Sequence, residues 1–192
     1  MAKIAIVYHS GYGHTARQAE AVAQGVRNGG GDVTVLKVEE LASEEAPGWA
    51  TLDAADAIVF GTPTYMGSVS APFAAFKDAT SKRWYTRAWA DKIAGGFTNS
   101  AAQSGDKVNA LLDLVVLASQ HGMIWVGNDL LPGNNSSGGS PEDLNRLGVS
   151  LGAAAQSNAD AGPDVAPPAA DLKTAEHFGK RIATVTARFA KA

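Results

Sequence analysis

Six consecutive residues, Ser10-Gly11-Tyr12-Gly13-His14-Thr15, have the types and spacing of an anion cradle. They follow the short apolar run Lys3–Tyr8 and precede a helical pattern, so the glycines fall in a strand-to-helix turn. Such a turn aims free backbone N–H groups, at the positive end of a helix dipole, at one point. An anion there is stabilised without any lysine. Gly11 to Ala16 also fits the G-x-G-x-x-A pattern of dinucleotide-binding folds. Two ligands therefore compete: the pyrophosphate of a dinucleotide and the lone phosphate of a mononucleotide. A Walker A loop is excluded, because no Gly-Lys-Ser/Thr follows.

Three features favour the mononucleotide. A dinucleotide fold places an acidic residue at the end of its second strand for the ribose hydroxyls, whereas Asp32 stands at the start of that strand here and Glu39 and Glu40 come late. Ser10 and Thr15 add hydroxyls that suit the three oxygens of a terminal phosphate. Five strands in a short chain suit the order 2-1-3-4-5. That order brings the loops after strands three and four to the same edge as the cradle. The first of these loops, within Phe60–Phe73, offers Thr62, Pro63 and Thr64 beside Tyr65 and Met66, which can lie against a flat ring. The second, Phe97–Lys107, is small and polar, suited to a ring edge and a ribityl chain. The expected ligand is flavin mononucleotide.

These residues must be positioned by alternating strands and helices. The pattern predicts strands at Lys3–Tyr8, Asp32–Val38, Ala57–Gly61, Lys92–Thr98 and Met123–Val126. Helices are expected over Thr15 to about Asn28, Ser70 (N-cap, with Pro72 in the first turn) to Thr80, Gln103–His121 and Asp171–Ala190. Ala16, Ala19, Val22, Ala23 and Val26 form one apolar face of the first helix. Leu172, Ala175, Phe178, Ile182, Val185 and Phe189 form that of the last. The expectation is an α/β, doubly wound, five-stranded parallel sheet with helices on both faces, one domain over residues 1–192. Gly127 to Ala170, rich in Gly, Asn, Ser and Pro, is too long to be an ordinary connection and reads as a lid, an interface element or disorder. Leu144, Leu147, Val149 and Leu151 suggest that part of it packs.

Composition removes other classes. The 192 residues include no cysteine, which excludes disulfides, thiol nucleophiles and iron–sulfur clusters. A net charge of −3 argues against nucleic acid. No apolar run reaches the roughly 18 residues of a membrane span, and Met1-Ala2-Lys3 runs straight into a strand, so a cytoplasmic location is expected. Four scattered histidines without a framing carboxylate pair give no metal site. His9 and His177 read as structural, and His14 as a backbone donor with its ring at the surface or at a partner chain. Trp49, Trp89 and Trp125 read as packing or interface residues.

The combination of SGYGHT (Ser10–Thr15), GTPTYMGSVSAPFAAFKDAT (Gly61–Thr80), Trp84 and QHGM (Gln120–Met123) resembles the WrbA-type NAD(P)H:quinone oxidoreductases of the flavodoxin-like superfamily. The resemblance implies non-covalent FMN, two-electron reduction of quinones by NADH or NADPH, and a homo-tetramer. By position it gives the phosphate to Ser10, Gly11, Tyr12, Gly13, His14 and Thr15. The isoalloxazine falls to Pro63, Thr64, Tyr65, Met66 and Gly67, and its other edge to Thr98, Asn99, Ser100 and Gln103. Trp84 and His121 match residues lining the substrate space, the expected catalytic contributors. Tyr65-Met66 stands where members of that family carry Arg-Phe, and Thr98–Gln103 replaces a glycine-rich Ser-Thr-Gly run. A flavodoxin-type one-electron carrier is the competing reading.

Overall fold

The computed structural model of the protein describes residues 1–189. Its strands are β1 (Lys3–Tyr8), β2 (Asp32–Lys37), β3 (Ala57–Tyr65), β4 (Ser68–Val69), β5 (Ile93–Ser100), β6 (Ile124–Trp125) and β7 (Ala153–Gln156). Its α-helices are α1 (His14–Asn28), α2 (Gly48–Ala54), α3 (Ala71–Ala79), α4 (Ser81–Tyr85), α5 (Lys107–Gln120) and α6 (Ala169–Phe189). The parallel strands lie in the order β2-β1-β3-β5-β6, with β4 folded back antiparallel on β3 and β7 parallel beside β5. With the small β4 set aside, this is the 2-1-3-4-5 order. Among the described residues no helix is long and apolar enough to cross a membrane.

Both faces of the sheet are covered, which explains why its strands are apolar on alternate and intervening positions alike. Ile4, Ile6, Val59 and Phe97 meet Ala19, Val22 and Val26 of α1 and Phe178 and Ile182 of α6. Ala5, Val7, Ile58 and Phe60 meet Phe73 of α3, Trp89, and Leu111 and Leu114 of α5. The α1–α6 contact is close enough that a Cβ at Gly25 would collide with the Glu176 carbonyl and one at Gly179 with the Val22 carbonyl. Leu172 and Val185 are only partly buried and Phe189 is exposed, so the core stripe of α6 is narrower than its periodicity suggested. Ala190, the expected end of this helix, lies outside the described residues.

Three boundaries differ most from the sequence reading. Strand three continues past Gly61 to Tyr65, because its tail pairs with β4 in a tight hairpin. The helix expected from Gln103 starts only at Lys107, since Gly105 and Asp106 both adopt φ 54 and turn the chain just before it. The fifth sheet position is divided: β6 pairs with Ile93 and Ala94, the chain loops out after Trp125, and β7 returns to pair with Phe97–Ser100. The long irregular segment thus contains a strand. Its alanines, Ala153 to Ala155, are buried between neighbouring elements. Val149 and Leu151 pack against the core, while polar anchors fix the rest. Asn145 N–H donates to Thr174 Oγ1 at 2.8 Å, and Arg146 grips Asp171 through Nε (2.7 Å) and Nη2 (2.8 Å).

Candidate functional site

The carboxyl ends of β1, β3, β5 and β7 meet at a cleft of about 340 Å³. Its phosphate side is the turn from β1 into α1. His9 N–H donates to the Gly61 carbonyl and ties the root of the turn to β3. Ser10 Oγ accepts the N–H groups of Gly13 and Ala16, each at 3.1 Å. It is then an acceptor twice over, and its own O–H remains to donate to a ligand. Gly13 caps the helix at φ 88, a conformation that suits glycine. The N–H groups of His14 and Thr15, the first two helical residues, have no intrahelical acceptor. The first turn of α1 carries no acidic side chain, so its dipole is not neutralised.

The opposite side is built from hydroxyls that hold one another. Thr98 Oγ1 donates to the Thr62 carbonyl at 2.7 Å and accepts from Thr64 Oγ1 at 2.8 Å. Thr98 is fully buried and braces β3 against β5, whereas Thr64 lines the cleft with its lone pairs unspent. Pro63 and Tyr65 line it beside Thr64. The Tyr65 hydroxyl lies against Gly11, where a Cβ would collide with it, and Tyr12 meets the Tyr65 ring edge-on at 6.3 Å. Burial, helped by Tyr12, raises the pKa of Tyr65, so it stays neutral. Asn99 and Ser100 complete this wall, with Asn99 Nδ2 donating to Ser157 Oγ at 2.9 Å.

The fold gathers Gly11, Tyr12, His14, Thr15, Pro63, Thr64, Tyr65, Asn99 and Ser100 at the cleft, and places Ser10 and Gly13 just behind its loop. Ser157 and Ala159 line it too, and sequence reasoning missed them because β7 was hidden in the irregular segment. The one available signal was that Met123–Val126 is too short to flank the whole of strand four. The same segment meets His14, whose Nε2 lies 2.7 Å from the Ala161 carbonyl. Pro163 closes on Gly13, with a Cβ there only 2.9 Å away.

Five expected residues stand elsewhere. Met66 and Gly67 form the β3–β4 turn with φ 48 and 78, outside the cleft lining. Gln103 opens onto a separate cavity with Asp106, Lys107 and Leu147, because the chain turns away after Ala101. His121 lies at the amino end of the sheet, buried, 4.6 Å from Trp89 and bonded through Nε2 to Thr80 Oγ1 at 2.9 Å. Thr80 Oγ1 already donates to the Lys77 carbonyl, so His121 Nε2 carries the proton. Burial, then Arg87, pushes its pKa down to about 4, so it is neutral near pH 7. Trp84, on α4 near that same edge, is half exposed and lies outside the cleft lining.

A doubly wound parallel sheet in this order, with an anion cradle after β1 at the switch point, is flavodoxin-like architecture. The chain matches the family described as NADPH-dependent FMN reductase over residues 3–136. It is similar to flavodoxin FldP of Pseudomonas aeruginosa, 45% identical over 96% of this chain and 97% of that one. An NAD(P)H dehydrogenase (quinone) of Archaeoglobus fulgidus is 33% identical, covering 96% of this chain and 97% of its own. The crystal structure of a WrbA-like flavodoxin from Agrobacterium tumefaciens superposes with TM-score 0.74 and 42% identity, covering 98% and 99% of the two chains. The chain belongs to the FMN reductase family, on its WrbA-type flavodoxin-like branch.

Proposed function

We propose that this protein is an FMN-dependent oxidoreductase that moves electron pairs from NADH or NADPH to quinones, with FMN held non-covalently in the cleft. The observation that carries the reading is the unspent donor set of Ser10 to Thr15 at the carboxyl edge. The Ser10 O–H and the N–H groups of His14 and Thr15 hold the phosphate. Pro63, Thr64 and Tyr65 bound the ring on one side, and Asn99, Ser100 and Ser157 on the other. Bound there, FMN supplies hydride acceptance, and the protein's part is binding and orientation. No side chain of this chain is needed as an acid or base. A homo-tetramer and a cytoplasmic location belong to the same proposal. Trp84 could reach a cleft only from a second copy, and light scattering that finds only a 19.7 kDa monomer sinks the tetramer.

Titrating apoprotein with FMN, then following NADH and NADPH oxidation with and without benzoquinone, tests the reading. Binding no tighter than millimolar, about 4 kcal/mol, removes it.

The likeness to flavodoxin FldP favours a second reading, a one-electron carrier. Carriers separate the two reduction steps partly by placing carboxylates around the flavin, each like-charge contact costing about 1–4 kcal/mol in a partly solvated site. Gly61–Ser70 and Thr98–Gly105 contain no acidic residue, and the one carboxylate adjoining a lining residue in sequence is Asp160, exposed beside Ala159. Photoreduction followed by absorbance should therefore pass from oxidised to fully reduced flavin directly. A stable blue half-reduced form taking up most of the flavin would favour the carrier.

A further inference from the structure

Lys107 is the one buried lysine among the described residues, 2% exposed. It stands at the first position of α5, where the helix dipole opposes a cation. It makes no ion pair among the described residues. Its Nζ instead donates to three carbonyls of the preceding loop: Ala102 at 2.9 Å, Gln103 at 2.7 Å and Ser104 at 3.2 Å. That loop is otherwise exposed, and the ammonium lies beneath it. Burial and dipole both act against the charge here, so the arrangement is not a stabilising one in its own right. What it gives the chain is a shape. Ser100 Oγ donates to the same Ala102 carbonyl at 2.8 Å, and Ser100 and Ala101 line the cleft.

We propose that Lys107 is a positioning residue for the flavin: it folds the β5–α5 loop around its ammonium and so fixes Ser100 and Ala101 at the wall of the cleft. The inference rests on that cleft being the FMN site. It also carries a pH signature. Burial pushes the Lys107 pKa down to about 8; Asp171 pulls it back up, and Arg146, paired with Asp171, pushes it further down. The neighbouring charge on its own loop is Asp106, exposed. The amine left above pH 8 has one N–H fewer and no charge, so three carbonyls are no longer all served. FMN affinity should fall as pH rises through 8. Global stability should move the other way. The unfolded chain keeps this proton to about 10.4, so between pH 8 and there it binds more protons than the folded chain, and this group favours folding increasingly.

The experiment is FMN titration of apoprotein from pH 6.5 to 9.5, with amide hydrogen exchange of residues 101–105 in flavin-free protein at pH 7. Wild type should lose about tenfold in affinity between pH 7 and 9. FMN's own phosphate, with its second pKa near 6 like other phosphate monoesters, is already fully charged there. Lys107→Met should bind about tenfold more weakly at pH 7, show no slope, and exchange faster at 101–105. Lys107→Arg, charged throughout, should bind within about threefold of wild type and also lose the slope. Ser10→Ala should weaken binding yet keep it. Wild-type affinity and slope in Lys107→Met overturn the role of Lys107 while leaving the FMN site intact. Should that variant not fold, a flat wild-type profile across pH 8 overturns it equally. Wild type that binds no FMN at any pH overturns the site itself.

Discussion

The two edges of the sheet carry the same residue types and use them differently. At the carboxyl edge, the donors of the β1–α1 turn and the lone pairs of Thr64 are left unspent around an open cleft. At the amino edge, polar groups consume one another. Trp89 Nε1 donates to Asp53 Oδ1 at 2.8 Å, Arg83 Nε reaches the same carboxylate at 3.3 Å and stacks on Trp49 at 4.1 Å, and Lys92 Nζ donates to the Asp53 carbonyl at 2.7 Å. His121 and Thr80 join this set through Nε2, while His121 Nδ1 and Arg83 Nη1 stay buried without a partner. Among the described residues, the tryptophan Nε1 and the histidine Nε2 of the amino edge are held by the fold, whereas the backbone donors and hydroxyls of the carboxyl edge face an open cleft.

The largest break in the contrast should come from Gly13→Val. A β-branched residue resists φ 88, and its Cβ would press on Pro163 at 2.9 Å. FMN affinity should drop a hundredfold or more, about 3 kcal/mol, while far-ultraviolet circular dichroism stays that of the wild type. Unchanged affinity would mean that the turn does not hold the phosphate.

His121 tests the other edge. Its pKa of about 4 lies below that of the unfolded chain, near 6.5. As pH falls from 6.5 toward 4 the unfolded chain takes up a proton that the folded chain refuses, so stability present above 6.5 is lost, up to about 3 kcal/mol. Urea unfolding across this range should show the loss, and His121→Phe should flatten it with FMN affinity at pH 7 unchanged within twofold. If His121→Phe abolished quinone reduction in flavin-loaded protein, the division between the edges would fail.

The part of the site written in a contiguous stretch was legible: the turn Ser10–Thr15 between a strand and an amphipathic helix follows from local periodicity and glycine placement. The parts that depend on distant pairing were not. Ser157 reaches the cleft only because β7 closes on β5, and a run of alanines carries little strand propensity. Gln103 was misplaced because nothing local reveals that Lys107 turns its loop inward. Ser10→Ala weighs the legible part directly. It removes the acceptor of two N–H bonds and one ligand donor, so FMN affinity should fall by about 1–2 kcal/mol. Riboflavin, lacking the phosphate, should lose less, and equal losses would point away from phosphate recognition.

The smallest effect is expected at the rim. The β3–β4 hairpin closes through Met66 and Gly67, both at positive φ, with Thr64 opposite Val69 and Tyr65 opposite Ser68. Two-residue turns of this kind favour Asn-Gly, and a non-glycine residue there carries about 1–2 kcal/mol of strain. Met66 carries it while fully exposed, so no packing of its side chain compensates. Met66→Asn should therefore stabilise the protein by about 0.5–1 kcal/mol, roughly 1–4 °C in Tm for a chain of this size. FMN affinity should stay within twofold, because Met66 does not line the cleft. The informative measurement is the KM for benzoquinone in the same variant. If it rises while FMN binding and the maximal rate hold, the strained thioether meets the acceptor at the mouth of the cleft, and the carboxyl edge extends one residue beyond the wall drawn by its hydroxyls. An unchanged KM confines substrate contact to Tyr65 and the loops behind it.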